Sequence, residues 1–244
     1  MENRVIALLV LLILGVSLQA RIRVSDSIHI AKAGTLSTSV PKGKTFRDTV
    51  LILTGDLDES DFRYIRAMAG SSGKLTSIDL SGAGVSKITD YALSGCTSLT
   101  SVILPKSATT IQYNAFSLCT RLTSITFGDN VSAIGPNVFS GCIALTSMTI
   151  PNKVTILSAG TFSGCTSLTS VTLPTGLTTI QSGVFAGCKA LREIHCNSKT
   201  PPEVADNAFI YVNKSACKLF VPKGSSESYK KPVKWSGFSN IIEE

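Results

Sequence analysis

Apolar side chains in the middle of this 244-residue chain recur on a long fixed interval, on top of any helical or strand period. Leu93, Phe116, Phe139, Phe162 and Phe185 stand 23 residues apart. Leu99, Leu122, Leu145, Leu168 and Leu191 keep that interval, as do Val102, Ile125, Met148, Val171 and Ile194. A polarisable ladder shares it: Cys96, Cys119, Cys142, Cys165 and Cys188. Several ladders with one period of about 20 to 50 residues mark a small unit stacked on copies of itself, each unable to bury its apolar side alone.

Inside one unit the shorter periods appear. Leu145–Pro151 (LTSMTIP) alternates, which predicts a strand with Met148 and Ile150 inward and Ser147 and Thr149 outward. Pro151 ends it, because proline has no N–H to continue a ladder. Val154 and Leu157 then turn inward along the opposite, convex side. Gly135–Pro136 starts a tight segment that carries Val138 and Phe139 inside, Ser140–Gly141 closes it, and Cys142 takes the corner. Stacking puts each strand beside its equivalent at about 4.8 Å and each Phe over the next. The expected architecture is an α/β repeat solenoid with a parallel concave sheet and a cap at each end, its repeats starting at Ile88, Ile111, Ile134, Leu157 and Ile180.

The flanks predict caps. Thr49–Thr54 reads as a strand, Asp61–Ala69 as an amphipathic helix with Ser60 as N-cap and Gly70 as stop, and Leu75–Leu80 as the first coil. After the repeats, Leu219–Pro222 reads as a last strand, and Tyr229, Trp235, Phe238 and Ile241 supply bulk to close the core. The first 20 residues hold an uncharged apolar run, Val5–Leu18, ahead of Ala20, the layout of a secretory signal peptide. The expected organisation is a signal peptide over 1–20, an N-terminal cap and first coil over 21–87, repeats over 88–196, and a C-terminal cap over 197–244. No later segment is apolar enough to span a membrane, so the expectation is export to the periplasm, the cell surface or the medium.

Composition changes this picture little. The net charge of +7 is concentrated in residues 21–48 and 189–234, and the repeats are nearly neutral. Lys214, Lys218, Lys223, Lys230, Lys231 and Lys234 gather in the last cap, a feature that could attract acidic glycans or another polyanion. No aromatic interleaving or recognised module points to nucleic acid.

The repeat can be written (Ile/Leu)-x3-(Ala/Val)-Phe-Ser-x-Cys-x2-Leu-Thr-Ser-(Ile/Val/Met)-x-(Ile/Leu/Phe)-Pro. It resembles the Treponema/Bacteroides surface-protein type of leucine-rich repeat, often called BspA-like. The resemblance covers Leu75–Leu173, and the stretches Ala33–Thr38 and Thr200–Trp235 are similar to the caps of exported Bacteroides-type members. Two units depart from the pattern: Leu93 replaces Phe in the first, and Phe127-Gly128 replaces Ile-Pro in the second. The resemblance implies a right-handed leucine-rich-repeat arc, protein–protein contact, and adhesion to host or cell-surface proteins in some members.

Seven cysteines in an exported chain would ordinarily suggest disulfides. Equivalent cysteines in adjacent coils, however, have parallel Cβ vectors about 4.8 Å apart, beyond the roughly 3.5–4.5 Å a disulfide needs. They read as buried thiols donating weakly to the turn backbone, and a line of ligands does not converge on a metal. Cys196 aligns with the inward Leu104, and Cys217 with Thr100, which leaves the two offset along neighbouring strands and Cys217 as a free thiol. His195 falls on an outward strand position beside Glu193 and Asn197, with no nucleophile near it. No catalytic set, phosphate loop or cofactor motif stands out, so no enzyme, metal or cofactor is expected. The best binding candidate is the concave face, with outward positions Ser101, Ile103, Ser124, Thr126, Ser147, Thr149, Ser170 and Thr172, a Ser/Thr carpet without aromatic anchors. The function expected is a non-catalytic module that binds a protein partner. The alternative is an envelope carbohydrate- or polyanion-binding protein that uses the basic cap.

Overall fold

The computed structural model describes residues 24–40 and 49–244, so the signal-peptide segment lies outside the described residues. Its strands are parallel and run along two sides of a stack of coils. On the concave side β1 (Val24–Ile30), β2 (Thr49–Gly55), β3 (Ser77–Ala83), β5 (Ser101–Ile103) and β7 (Ser124–Thr126) form one sheet. β9 (Ser147–Thr149), β11 (Ser170–Leu173), β13 (Glu193–Cys196), β15 (Lys218–Val221) and β16 (Asn240–Glu243) form a second. On the convex side β4 (Lys87–Ile88), β6 (Thr110–Ile111), β8 (Ala133–Ile134), β10 (Ile156–Leu157), β12 (Thr179–Ile180) and β14 (Glu203–Val204) make a continuous ladder of two-residue strands. Among the described residues the helices belong to the caps.

The period sets the register. Val171 pairs with Met148 and with Ile194, and Val102 with Ile125, each 23 residues away. The inward ladders are buried along their length, with Leu99, Leu122, Leu145, Leu168 and Leu191 at 0% exposure. Phe116, Phe139, Phe162 and Phe185 stack with centroids 5.6, 5.5 and 5.7 Å apart and planes within 15°. That spacing exceeds the 4.7–4.9 Å between paired strands, so the stack curves toward the strands. Phe209 continues the column at 5.3 Å, and Trp235 and Phe238 close it edge-on at 5.8 and 5.2 Å. Tyr229 and Trp235 are fully buried, and their polar tips donate to the Ser198 and Pro202 carbonyls at 2.7 and 2.8 Å.

The N-terminal end differs from the sequence reading in two respects. Leu75–Leu80 is not the first coil: the expected strand Thr49–Thr54 is present as β2 and joins the sheet, and β1, which the sequence reading did not place, pairs with it in register from Val24–Thr49 to Ile30–Gly55. The helix runs Glu59–Ala69, and its N-cap is Asp58, not Ser60. Asp58 accepts from the Ser60 and Asp61 amides, while Asp61 reaches back to the Asp58 amide at 3.0 Å. The buried Asp61 carboxylate also accepts from the Gly34 and Leu36 amides at 2.7 and 2.9 Å, which fastens the segment after β1 to this helix. Asp61→Ala therefore strands three amides, and a loss of about 2–4 kcal/mol in urea unfolding is expected, at constant slope.

Candidate binding face

Side chains on the concave face sit where the alternation places them. Ser124, Thr126, Ser147 and Thr149 are exposed, Ser101, Ser170 and Thr172 are half-buried, and Ile103 is 37% exposed. Ser101 donates to Ser77 across the sheet at 2.8 Å. One feature of this face escaped the sequence reading, which found no aromatic anchor on it. His195 pairs with Phe220 in the ladder, and the two rings stack at 4.4 Å with planes 3° apart. His195 Nδ1 lies 2.9 Å from Glu244 Oε1, and Ile242 stands exposed beside them on β16. The signal was present: Leu219–Val221 alternates, and its central Phe220 faces the same way as His195.

A second finding interrupts the face. Among the described residues no pairing joins β7 to β9. On either side of this junction a threonine ties one coil to the coil before it. Thr123 bonds the Thr100 carbonyl through its amide (2.9 Å) and hydroxyl (3.0 Å), and Thr169 bonds the Thr146 carbonyl in the same way (2.8 and 2.9 Å). Thr146 makes neither bond to Thr123. The turns remain joined, with Phe116 N to Val138 O at 3.0 Å and Leu118 N to Ser140 O at 2.7 Å. On the convex side the junction keeps the single pair Leu157–Ile134. The coils are thus hinged at the Phe turn and splayed at the strand.

The cause lies in the second repeat's departure from Ile-Pro. A Cβ on Gly128 would stand 2.7 Å from the Pro105 carbonyl oxygen and 3.1 Å from Lys106 Cα. Only glycine allows that approach, which draws the end of β7 onto the coil before it and away from the coil after it. The cleft so opened has a volume of about 670 Å3 and is walled by Thr123–Asp129 and Ser147–Lys153. Water reaches the core ladder there: Ile125 and Phe127 are half-buried, whereas their equivalents Val102, Val171, Leu104 and Leu173 are buried.

The BspA type leucine rich repeat region pattern matches residues 86–218 in six copies, more than half of the chain. The chain belongs to the BspA-type leucine-rich repeat family. Proteins built from such repeats are in general interaction proteins and typically non-catalytic. A solved structure supports the fold. The pneumococcal vaccine antigen PcpA superposes with a TM-score of 0.55 at 14% identity, over 90% of this chain and 56% of that one. A leucine-rich repeat protein from Bacteroides ovatus gives 0.46 at 23% identity over 61% of this chain and 38% of its own. The T. pallidum leucine rich repeat protein gives 0.45 at 23% identity over 78% and 84%. This chain thus spans about two fifths of the length of the Bacteroides protein and just over half of PcpA. No curated protein matches it.

In this BspA-type array the cysteines are free and buried. Cys119, Cys142, Cys165 and Cys188 each donate to a carbonyl of the preceding coil, those of Leu93, Phe116, Phe139 and Phe162, at 3.0–3.2 Å. Burial pushes the thiols of Cys142 and Cys165 up and that of Cys188 up to about 12. Cys96 is raised through its hydrogen bond with Cys119 and by burial. Cys196 lies in register with Leu173, and Cys217, which precedes Lys218 on β15, is buried and raised by burial to about 12.

The basic cap is largely satisfied from within. Lys214 donates to the Lys234 carbonyl at 3.1 Å and lies over the Phe209 and Phe238 rings. Lys218 pairs with Glu193, Lys230 with Glu227, and Lys234 with Asp206. Among the described residues no helix is long and apolar enough to cross a membrane.

Proposed function

We propose that this chain is an exported interaction module that binds a protein partner on its concave face, at the cell surface or outside the cell. The observation that carries the reading is a hydroxyl-covered concave face with an aromatic anchor near its C-terminal end, the Phe220–His195 stack beside Ile242. Anchors of this kind concentrate binding energy, while surrounding polar contacts provide complementarity. Adhesion to host proteins is the finer form of this reading, supported by the apolar leader in the sequence and the surface-type repeat. The basic cap favours a polyanion ligand less, because four of its lysines are engaged internally.

Pull-down of host and envelope proteins with the purified protein tests it. Phe220→Ala, and separately Thr126→Arg with Thr149→Arg, are expected to weaken capture at least tenfold without altering circular dichroism. Capture unchanged in both, and lost instead in high salt, would move the site to the lysines.

A further inference from the structure

The open junction leaves the facing edges of β7 and β9 without a strand partner among the described residues. Backbone groups alternate sides along a strand. The bonds from Leu104 N to Thr126 O and from Ile150 N to Thr172 O fix which side each group faces. On β7 the N–H and C=O of Ile125 and the N–H of Phe127 therefore face the cleft; on β9 the N–H and C=O of Ser147 and Thr149 face it. The same groups one coil further on, those of Ser170 and Thr172, are used in pairing β11 to β9. The cleft is thus lined on both walls by an alternating row of donors and acceptors at strand spacing, above the half-buried Ile125 and Phe127.

We infer that this cleft is a slot for an extended polypeptide segment, which inserts parallel to β7 and β9 and completes the concave sheet. Backbone chemistry selects the occupant: an extended chain offers donors and acceptors on both of its sides at matching intervals, the mode of strand addition. An aromatic side chain or a sugar would satisfy one wall at most. The slot is three residues long, about 10 Å, because β7 and β9 each have three residues. The inserted residue between Ile125 and Met148 points toward the core, so it is apolar, and its neighbours, beside the Ser and Thr hydroxyls, are polar. The inference rests on the reading of the chain as a protein-binding module and assigns it a segment of the partner.

The probe is the acetylated, amidated peptide Thr-Ser-Val-Thr-Leu, whose alternation matches the slot, beside the same peptide N-methylated at its second and fourth residues. Binding to the purified protein is followed by NMR titration and amide hydrogen exchange. The expected result is at least tenfold slower exchange at Ile125, Phe127, Ser147 and Thr149 with the plain peptide, and none with the N-methylated one. Phe127→Leu with Gly128→Pro restores the repeat pattern, pushes β7 off Pro105 and closes the slot, and is expected to protect the same amides without peptide and to abolish binding. Equal binding of both peptides, protection elsewhere, or no binding at millimolar peptide would overturn the inference. Because Phe220 lies far along the sheet, retention of partner capture in the closed variant together with its loss in Phe220→Ala would sink the slot and leave the concave-face reading standing.

Discussion

Raising the pH from about 8 to about 11 is expected to unfold the protein in one steep step. An exposed thiol titrates near 9.0, whereas Cys188 and Cys217 titrate near 12 in the fold, and Cys96, Cys142, Cys165 and Cys196 are also raised. Below pH 9 both states keep their protons, so the contribution of these groups is fully present. Between 9 and 12 the unfolded chain releases protons that the folded chain holds, and stability falls as pH rises. Each thiol costs about 1.4 kcal/mol per pH unit in that window. Cys188 and Cys217 alone remove roughly 3 kcal/mol per unit, and the other raised thiols add to the loss in the same direction, against a typical stability of about 5–15 kcal/mol. Tyr229, raised by burial, acts in the same direction. Far-UV circular dichroism followed against pH, with a thiol reagent present in a parallel series, checks this. The thiols should stay silent until the transition and then react together. An alkaline midpoint unchanged when Cys142, Cys165 and Cys188 are replaced by Ala would refute the linkage.

The thiol ladder also shows which structural facts a sequence carries. A period common to four ladders specifies register, because a slip of one residue would turn every strand's apolar set outward. Val102, Met148, Val171, Leu145 and the Phe column were legible for that reason, as were the free sulfurs and the register of Cys196 and Cys217. Spacing between coils was not legible in the same way. Phe127-Gly128 is visible as a departure, but its consequence depends on how near Gly128 comes to Pro105, and pattern carries no distance. The N-cap failed for a related reason. Asp58 and Ser60 are both good cap types, and the choice was made by Asp61, which is held by Gly34 and Leu36 from about 25 residues away. From sequence Phe220 belongs to a closing strand, and its partnership with His195 follows only from the pairing of β15 with β13.

The open junction makes Phe139 the most consequential ring in the array. Its neighbours are Phe116 at 5.6 Å, Phe162 at 5.5 Å and Phe127 edge-on at 6.2 Å, and it is fully buried. Phe139→Ala removes a core aromatic and leaves a cavity, a loss of about 3–5 kcal/mol. Phe185→Ala, in the same column between Phe162 and Phe209, is expected to lose a similar amount. The two should differ in cooperativity. In a solenoid each coil is coupled to the next only through their shared interface, so a chain unfolds as one unit as long as every interface is strong. Between the second and third repeats the strand ladder is already absent and the convex ladder is down to one pair, so the coupling falls mainly to the turn bonds and to the contacts of Phe139 with Phe116 and Phe127, beside the side-chain bonds of Ser158 to the Ile134 carbonyl and Lys153 to Asn130. Phe139→Ala is therefore expected to split thermal unfolding into two transitions, one for each half, whereas Phe185→Ala keeps one transition at a lower temperature. Calorimetry of the two variants decides it: a single transition in Phe139→Ala, with calorimetric and van't Hoff enthalpies equal, would mean that the halves are joined across the junction by more than its turn.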